Sequence, residues 1–325
     1  MPVGSGSKTF VLSSSHSSIL PVFLVSIFLL LLGCNTEQNA GLDTFPDITA
    51  QLQPGAGLSD IAAHLVKARR ERATTRALAL YYPDLDRVSG YRIQMMTLAT
   101  EEQAGHTVAG WKMGGTRVTD PNAAPDPQFG YSLDSNVYPA NQPFPVDSLT
   151  VATPMVESEI AVWIGRDLPD PDITIDEFLE AVQGISGGVE IISSRLRPTD
   201  QDHPESLTTA HALADDISHG AAILGTKQVD PATFDFDNEE AWIEINGEVK
   251  ARGTGRAIMG KRGNPLDAVF WLAKELPRHG HHLRKGQFVI TGSLYDNPTM
   301  KAGDSAVVHY SSLGTIKFSM RSARQ

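Results

Sequence analysis

From Gly110 onward the chain is written in short apolar runs, each cut off by Gly, Pro, Asn or Asp, and this texture limits the fold more than any other feature. Residues 156–164, 188–192, 242–245, 287–290 and 305–310 read as strands, being rich in β-branched and aromatic residues and bounded by turn formers. Ahead of them the period changes. Leu58, Ile61, Leu65 and Ala68 recur at helical spacing, and a second helical stretch over 88–104 is closed by Gly105. Two more helices, over 175–183 and 265–276, lie among the strands, the latter carrying Ala268, Trp271, Leu272 and Leu276 on one face. The class is α+β: a helical N-terminal region at 58–106, then a mostly β domain at 107–325.

The chain opens differently. Residues 19–32 are almost wholly apolar and end in Leu31-Leu32-Gly33-Cys34. A membrane-spanning helix needs roughly 20 such residues, so the stretch predicts a removed export signal. Its ending resembles the bacterial lipoprotein box, which implies lipidation at Cys34, with residues 1–34 as leader and the polar, Gly/Pro-punctuated 35–57 as a flexible tether. The expected location is therefore exported and anchored to a membrane by lipid alone, facing the periplasm or the exterior. Cys34 is the sole cysteine, which rules out an intrachain disulfide, a cysteine metal site or a cysteine nucleophile. A net charge of −11, with no long Lys/Arg run, argues against a nucleic-acid partner.

The chemistry concentrates in Met155-Val156-Glu157-Ser158-Glu159-Ile160-Ala161-Val162-Trp163. Side chains two apart on a strand share a face, which places Glu157 and Glu159 together beside Ala161 and Trp163. Glu190 interrupts a further apolar run, Gly188-Val189-Glu190-Ile191-Ile192. Three converging carboxylates call for a hard cation, Mg²⁺ or Mn²⁺. The same spacing also fits a solvated sheet face with Glu190 paired to Arg195 or Arg197, and spacing alone leaves both readings standing. Lys112, in Ala109-Gly110-Trp111-Lys112-Met113-Gly114-Gly115-Thr116, is a candidate acid/base if its surroundings lower its pKa, and otherwise a surface lysine.

Taken in order, these segments resemble the 2-oxopent-4-enoate hydratase and 4-oxalocrotonate decarboxylase group of the fumarylacetoacetate hydrolase family. The likeness runs through Tyr82-Pro83-Asp84-Leu85, the Lys112 segment, the Glu157/Glu159 strand with Gly165-Arg166-Asp167-Leu168-Pro169 after it, the Glu190 strand, Asn264-Pro265-Leu266, Thr291-Gly292-Ser293-Leu294 and Ala302-Gly303-Asp304, covering about residues 58 to 320. It implies a fumarylacetoacetate-hydrolase-like fold, Mg²⁺ or Mn²⁺ at Glu157, Glu159 and Glu190, Lys112 as acid/base, substrate contacts at Ser218, Thr291 and Gly292, and a homo-oligomer. The implied activity is hydration of a 2-hydroxy-2,4-dienoate, a small enol carboxylic acid. The alternatives are decarboxylation of an oxalocrotonate, C–C hydrolysis of an acylpyruvate, or ligand binding without turnover. The chain departs from the group at Asp215-Asp216-Ile217-Ser218-His219-Gly220, where Ser218 alone matches, and at Gln128, where an aspartate is usual.

Other patterns carry less. Gly184-Ile185-Ser186-Gly187-Gly188 fits a nucleophile elbow in spelling, but a helix precedes it and a strand follows, so it reads as a turn. Arg278-His279-Gly280-His281-His282 reads as an exposed connection, and Asp170, Asp172 and Asp176 as helix capping. A hydrolase would need a His/Glu pair in the helical region, for which His64 with Glu71 and His106 with Glu102 are the candidates.

Overall fold

The computed structural model describes residues 45–118, 125–197, 202, 204–258 and 265–322. The apolar run at 19–32 and Cys34 lie outside the described residues. Helix α1 (Leu58–Glu71) buries Ile61, Leu65 and Ala68 along one stripe and stops at Arg72, which takes a left-handed φ of 53°. A short α2 (Ala77–Tyr81) leads to α3 (Arg87–Gln103), whose first turn is capped by the Asp86 side chain accepting the Ser89 N–H at 2.7 Å. Ile61, Leu65, Leu78 and Ile93 make a small core that also takes in Leu196 and Ala214 from much later in the chain. The helices therefore lock onto the β domain by shared apolar burial, at about 1.5–3 kcal/mol per large side chain.

That domain is built on two sheets. One holds β1 (Val108–Gly114), β2 (Gln128–Leu133), β3 (Val137–Pro139), β5 (Val156–Ile164), β6 (Val182–Ile192), β7 (His219–Leu224) and β10 (Phe288–Ile290) in the order β2-β1-β10-β5-β6-β7-β3. The other holds β4 (Gln142–Pro145), β8 (Glu240–Ile245), β9 (Glu248–Thr254), β11 (Ser305–Tyr310) and β12 (Gly314–Arg321) in the order β4-β12-β11-β8-β9. Val156, Ile160 and Val162 of β5 enter a single core with Ile243, Val308 and Phe318 of the second sheet. Strand alternation turns Glu157, Glu159, Ala161 and Trp163 to the opposite face, where Ala161 packs with Phe288 and Ile290. Helices α4 (Ile175–Ala181), α5 (Thr209–Ala214) and α6 (Pro265–Glu275) complete the described α-helices.

Three local expectations change. The Gly184–Gly188 stretch is strand, part of β6, because β5 hydrogen-bonds along it and β7 joins at Gly188; two flanking ladders hold extended what its glycines alone would leave free. The cap of α4 is Thr174, which shares a capping box with Glu177, rather than an aspartate. The histidine tract is only partly exposed: Arg278 and Gly280 face solvent, while His279 lies tilted against Tyr91 and edge-on to Phe129, with ring centroids at 4.8 and 5.2 Å, and His281 lies 5.8 Å from Trp111. Among the described residues, no helix is long and apolar enough to cross a membrane.

A carboxylate cluster as the candidate active site

Antiparallel pairing of β5 with β6 sets Glu157 directly across from Glu190 and Glu159 across from Gly188, so the three carboxylates share one face. An oxygen from each lies within 4.8 Å of the others. Every carboxylate is tethered at one oxygen. Asn297 donates to Glu157 Oε1 at 2.5 Å, and the Gly292 N–H donates to Glu159 Oε2 at 2.5 Å. Glu190 Oε1 takes Lys112 Nζ at 2.8 Å and His219 Nδ1 at 2.6 Å. The free ends are the informative ones: among the described residues, Glu159 Oε1 and Glu190 Oε2 are buried and make no hydrogen bond.

The electrostatics follow from that crowding. Burial, then the neighbouring Glu190, pushes the Glu157 carboxyl up to about 7, and burial with both neighbours lifts Glu159 well above the carboxylate range. Burial acts on Glu190 too, but Lys112 and His219 outweigh it and hold its carboxyl below the ordinary value. For Lys112 burial opposes the charge, while Glu190 and Glu157 overcome it and raise the ammonium pKa. The lowered pKa required of an acid/base lysine is therefore not what Lys112 has while it is paired with Glu190 beside the other two carboxyls.

Lys112 projects from β1 and donates to the Ile217 carbonyl at 2.9 Å. That carbonyl belongs to an unusual turn: Asp216, Ile217 and Ser218 all have positive φ, at 56°, 42° and 60°. Each such residue costs on the order of 1–3 kcal/mol, so the turn needs restraint from outside itself. It receives it from Arg69 of α1, 3.1 Å from Asp216 Oδ2, and from the Tyr131 N–H, which donates to Asp216 Oδ1 at 2.8 Å. Arg195 binds the adjacent Asp215 at 2.6 Å. The alternative pairing of Glu190 with Arg195 or Arg197 is thus not what forms; Arg197 instead reaches Thr74 at 2.7 Å.

A cavity of about 140 Å³ opens over the cluster, walled by Lys112, Glu157, Ser218, Gly292 and Asn297 among others. Thr291 is not in that wall: its hydroxyl donates to the Ile160 carbonyl at 3.1 Å and its own carbonyl accepts from Thr116 at 2.7 Å. Gly292 has φ of 110°, and a Cβ there would stand 2.1 Å from Thr116 Oγ1, so only glycine fits. His64 bonds Thr75 at 2.9 Å and His106 lies 3.5 Å from Asp134, leaving neither in the cavity wall. His219, Asn297, Arg69 and the Ile217 carbonyl were not singled out from sequence. The one available signal was the polar Asp215-Asp216 and His219 around an isoleucine just before a strand.

A carboxylate trio with two of its members fully buried, set beside a lysine on interior strands of a mixed sheet, defines an enzyme rather than a scaffold, and the comparisons agree. The chain belongs to the fumarylacetoacetate hydrolase family, whose profile, described as fumarylacetoacetate (FAA) hydrolase C-terminal, matches residues 100–321. It falls in the family's hydratase and decarboxylase group. It is 30% identical over 264 residues to a 2-keto-4-pentenoate hydratase of Paraburkholderia phymatum, covering 81% of this chain and 97% of that one. It is 28% identical to a 4-oxalocrotonate decarboxylase of Pseudomonas putida, over 79% of this chain and 94% of the relative. The solved 4-oxalocrotonate decarboxylase of Pseudomonas putida G7, complexed with magnesium and adipate, superposes with a TM-score of 0.71 at 23% identity, covering 83% of this chain and 100% of that one.

The exported, lipid-anchored location expected from residues 19–34 is overturned. The relatives are hydratases and a decarboxylase matched over nearly their whole length by the enzyme fold of this chain. An apolar run is a weak warrant for an address, because length and hydrophobicity alone do not distinguish a processed signal from other apolar segments.

Proposed function

We propose that the protein is a divalent-metal-dependent lyase that hydrates a 2-hydroxy-2,4-dienoate. The observation that carries this reading is the pair of buried, unpartnered oxygens, Glu159 Oε1 and Glu190 Oε2, beside Glu157 in the cavity wall. Carboxylates in that state cost several kcal/mol unless a cation meets them, and an all-oxygen donor set suits Mg²⁺ or Mn²⁺. Glu157, Glu159 and Glu190 would hold the ion, which when bound would supply Lewis acidity to the substrate's enol acid. The hydratase relative at 30% identity supports the reaction class.

The chain's own residues handle protons and orientation. Two of the three Lys112 ammonium hydrogens are committed to Glu190 and the Ile217 carbonyl, which aims the third at the substrate. Lys112 gives that proton to the terminal carbon of the dienol and recovers one from the 2-hydroxyl, leaving a conjugated 2-oxo acid. Water then adds across the conjugated bond, hydroxyl at C4 and proton at C3. Ser218 and Gly292 contact the substrate from the cavity wall, and the Thr291–Gly292 peptide, committed to Thr116 through its carbonyl and to Glu159 through its N–H, positions Gly292 there.

One observation favours a second reading, loss of carbon dioxide from an oxalocrotonate. Among the described lining residues, Gln128 is neutral and the wall has no acid outside the cluster to activate water, which decarboxylation does not need. Incubating the protein with Mg²⁺ or Mn²⁺ and either acid decides: loss of dienol absorbance without gas supports hydration, carbon dioxide supports the second reading, and no turnover with retained ligand binding overturns both.

A further inference from the structure

We infer that the substrate is a dicarboxylate, its second carboxylate held by Arg117 and Gln128 in the wall of the same cavity. This rests on the proposed placement of the first carboxylate at the Glu157, Glu159 and Glu190 cluster. Arg117 follows Thr116 beyond the end of β1 and lines the cavity together with Lys112 and Glu157. Its Nε is buried without a hydrogen-bond partner, and its Nη1 lies 2.6 Å from Asp296, a side chain 86% exposed. A solvent-exposed carboxylate is a weak and replaceable partner for a guanidinium, which presents a planar fork matched to a carboxylate.

Gln128 faces the same cavity and is 2% exposed. Its amide nitrogen makes one hydrogen bond, to the Asp126 carbonyl at 3.5 Å, the far limit of such a contact. The two donors flank Gly115: Gln128 Nε2 is 3.1 Å from where a Cβ on that glycine would stand, and Arg117 is two residues on. Arg117 is the only cation besides Lys112 among the described lining residues, and Lys112 is already bound to Glu190. Met113, Met155 and Ile192 in the same wall suit the intervening carbon chain.

Adipate and hexanoate are saturated, unreactive acids of equal length that differ only at one end, and their binding to the full chain with Mg²⁺ by calorimetry tests the subsite. Adipate should bind at least tenfold more tightly. Arg117→Met should bring the ratio to about one with hexanoate unchanged, and Asp296→Asn should tighten adipate severalfold by removing its competitor. Equal binding of both acids to the unaltered protein, or equal weakening of both by Arg117→Met, overturns the inference; the latter would assign Arg117 to the shared carboxylate. Repeating the titrations without metal separates the two readings, since a failed metal site leaves affinities indifferent to Mg²⁺ while the adipate-to-hexanoate ratio still reports on Arg117. If neither acid binds, both readings fall.

Discussion

Replacing Glu159 by glutamine should have almost no effect on the metal-free protein and a large one on its response to metal. Two ionised carboxylates with oxygens within 4.8 Å repel by about 3 kcal/mol at an effective dielectric near 20, and Glu159 faces two such neighbours while fully buried. Burial and those neighbours therefore raise its carboxyl well above the ordinary range and favour its protonated form without metal. Glutamine copies that protonated form. Its carbonyl can still accept the Gly292 N–H, and its amide can donate toward the remaining acids, so metal-free stability should stay within about 1 kcal/mol of the unaltered protein. Metal at a hundredfold excess over its Kd should stabilise the unaltered protein by about 2.7 kcal/mol, or roughly 5–10 °C in Tm. Glu159→Gln should lose most of that rise. Scanning calorimetry with and without Mn²⁺ reads both quantities. A variant that keeps the full rise would refute Glu159 as a ligand, and one that loses several kcal/mol before metal is added would make it a structural partner instead.

Other outcomes follow from the same geometry. Because the Glu157 carboxyl sits at about 7 against an ordinary 4.5, the metal-free native state holds a proton that the unfolded chain has shed between those values. Its stabilising contribution is complete below the lower value and disappears as pH rises through the upper one, so metal-free Tm should decline over that window. The metal-induced rise should grow over the same window, because the ion needs the ionised acids; thermal scans showing parallel trends would contradict this. Lys112→Met should cut turnover by about 10²–10⁴ while leaving Mn²⁺ affinity intact or tighter, measured as kcat beside a calorimetric Kd. Gly292→Ala should cost about 3 kcal/mol in denaturant titration, from a positive φ and the collision with Thr116.

The site was legible where chemistry lay inside a single strand pattern. Glu157 and Glu159 share a face by simple alternation, and Glu190 is conspicuous as a charge within an apolar run; the β5–β6 register then makes Glu157 and Glu190 cross-strand neighbours. Legibility failed where tertiary pairing overrides local preference. Nothing local makes Gly184–Gly188 extended; its neighbours in the sheet do. Ile217 at φ 42° runs against its own β-branched preference, and the turn it sits in is held by groups far along the chain, among them Arg69 and Tyr131 on Asp216, Lys112 on the Ile217 carbonyl and the Ser193 N–H on the Ser218 carbonyl. His219 escaped notice because a buried histidine is defined by what it meets, here Glu190 on one ring nitrogen and Ser132 on the other at 3.1 Å.

The left-handed stretch at Asp216–Ser218 also sets a lower bound on how much polypeptide makes a working enzyme. Its clamp, Arg69, lies upstream of the span 100–321 that carries the family signature. A fragment trimmed to that span would retain every acid of the cluster and the lysine, yet remove the guanidinium that hydrogen-bonds the buried Asp216 carboxylate. The backbone there would be released to a more comfortable conformation, and the carbonyl that steers the lysine would swing away with it. The opening helices thus support the proposed site through Arg69, although none of their side chains line its cavity.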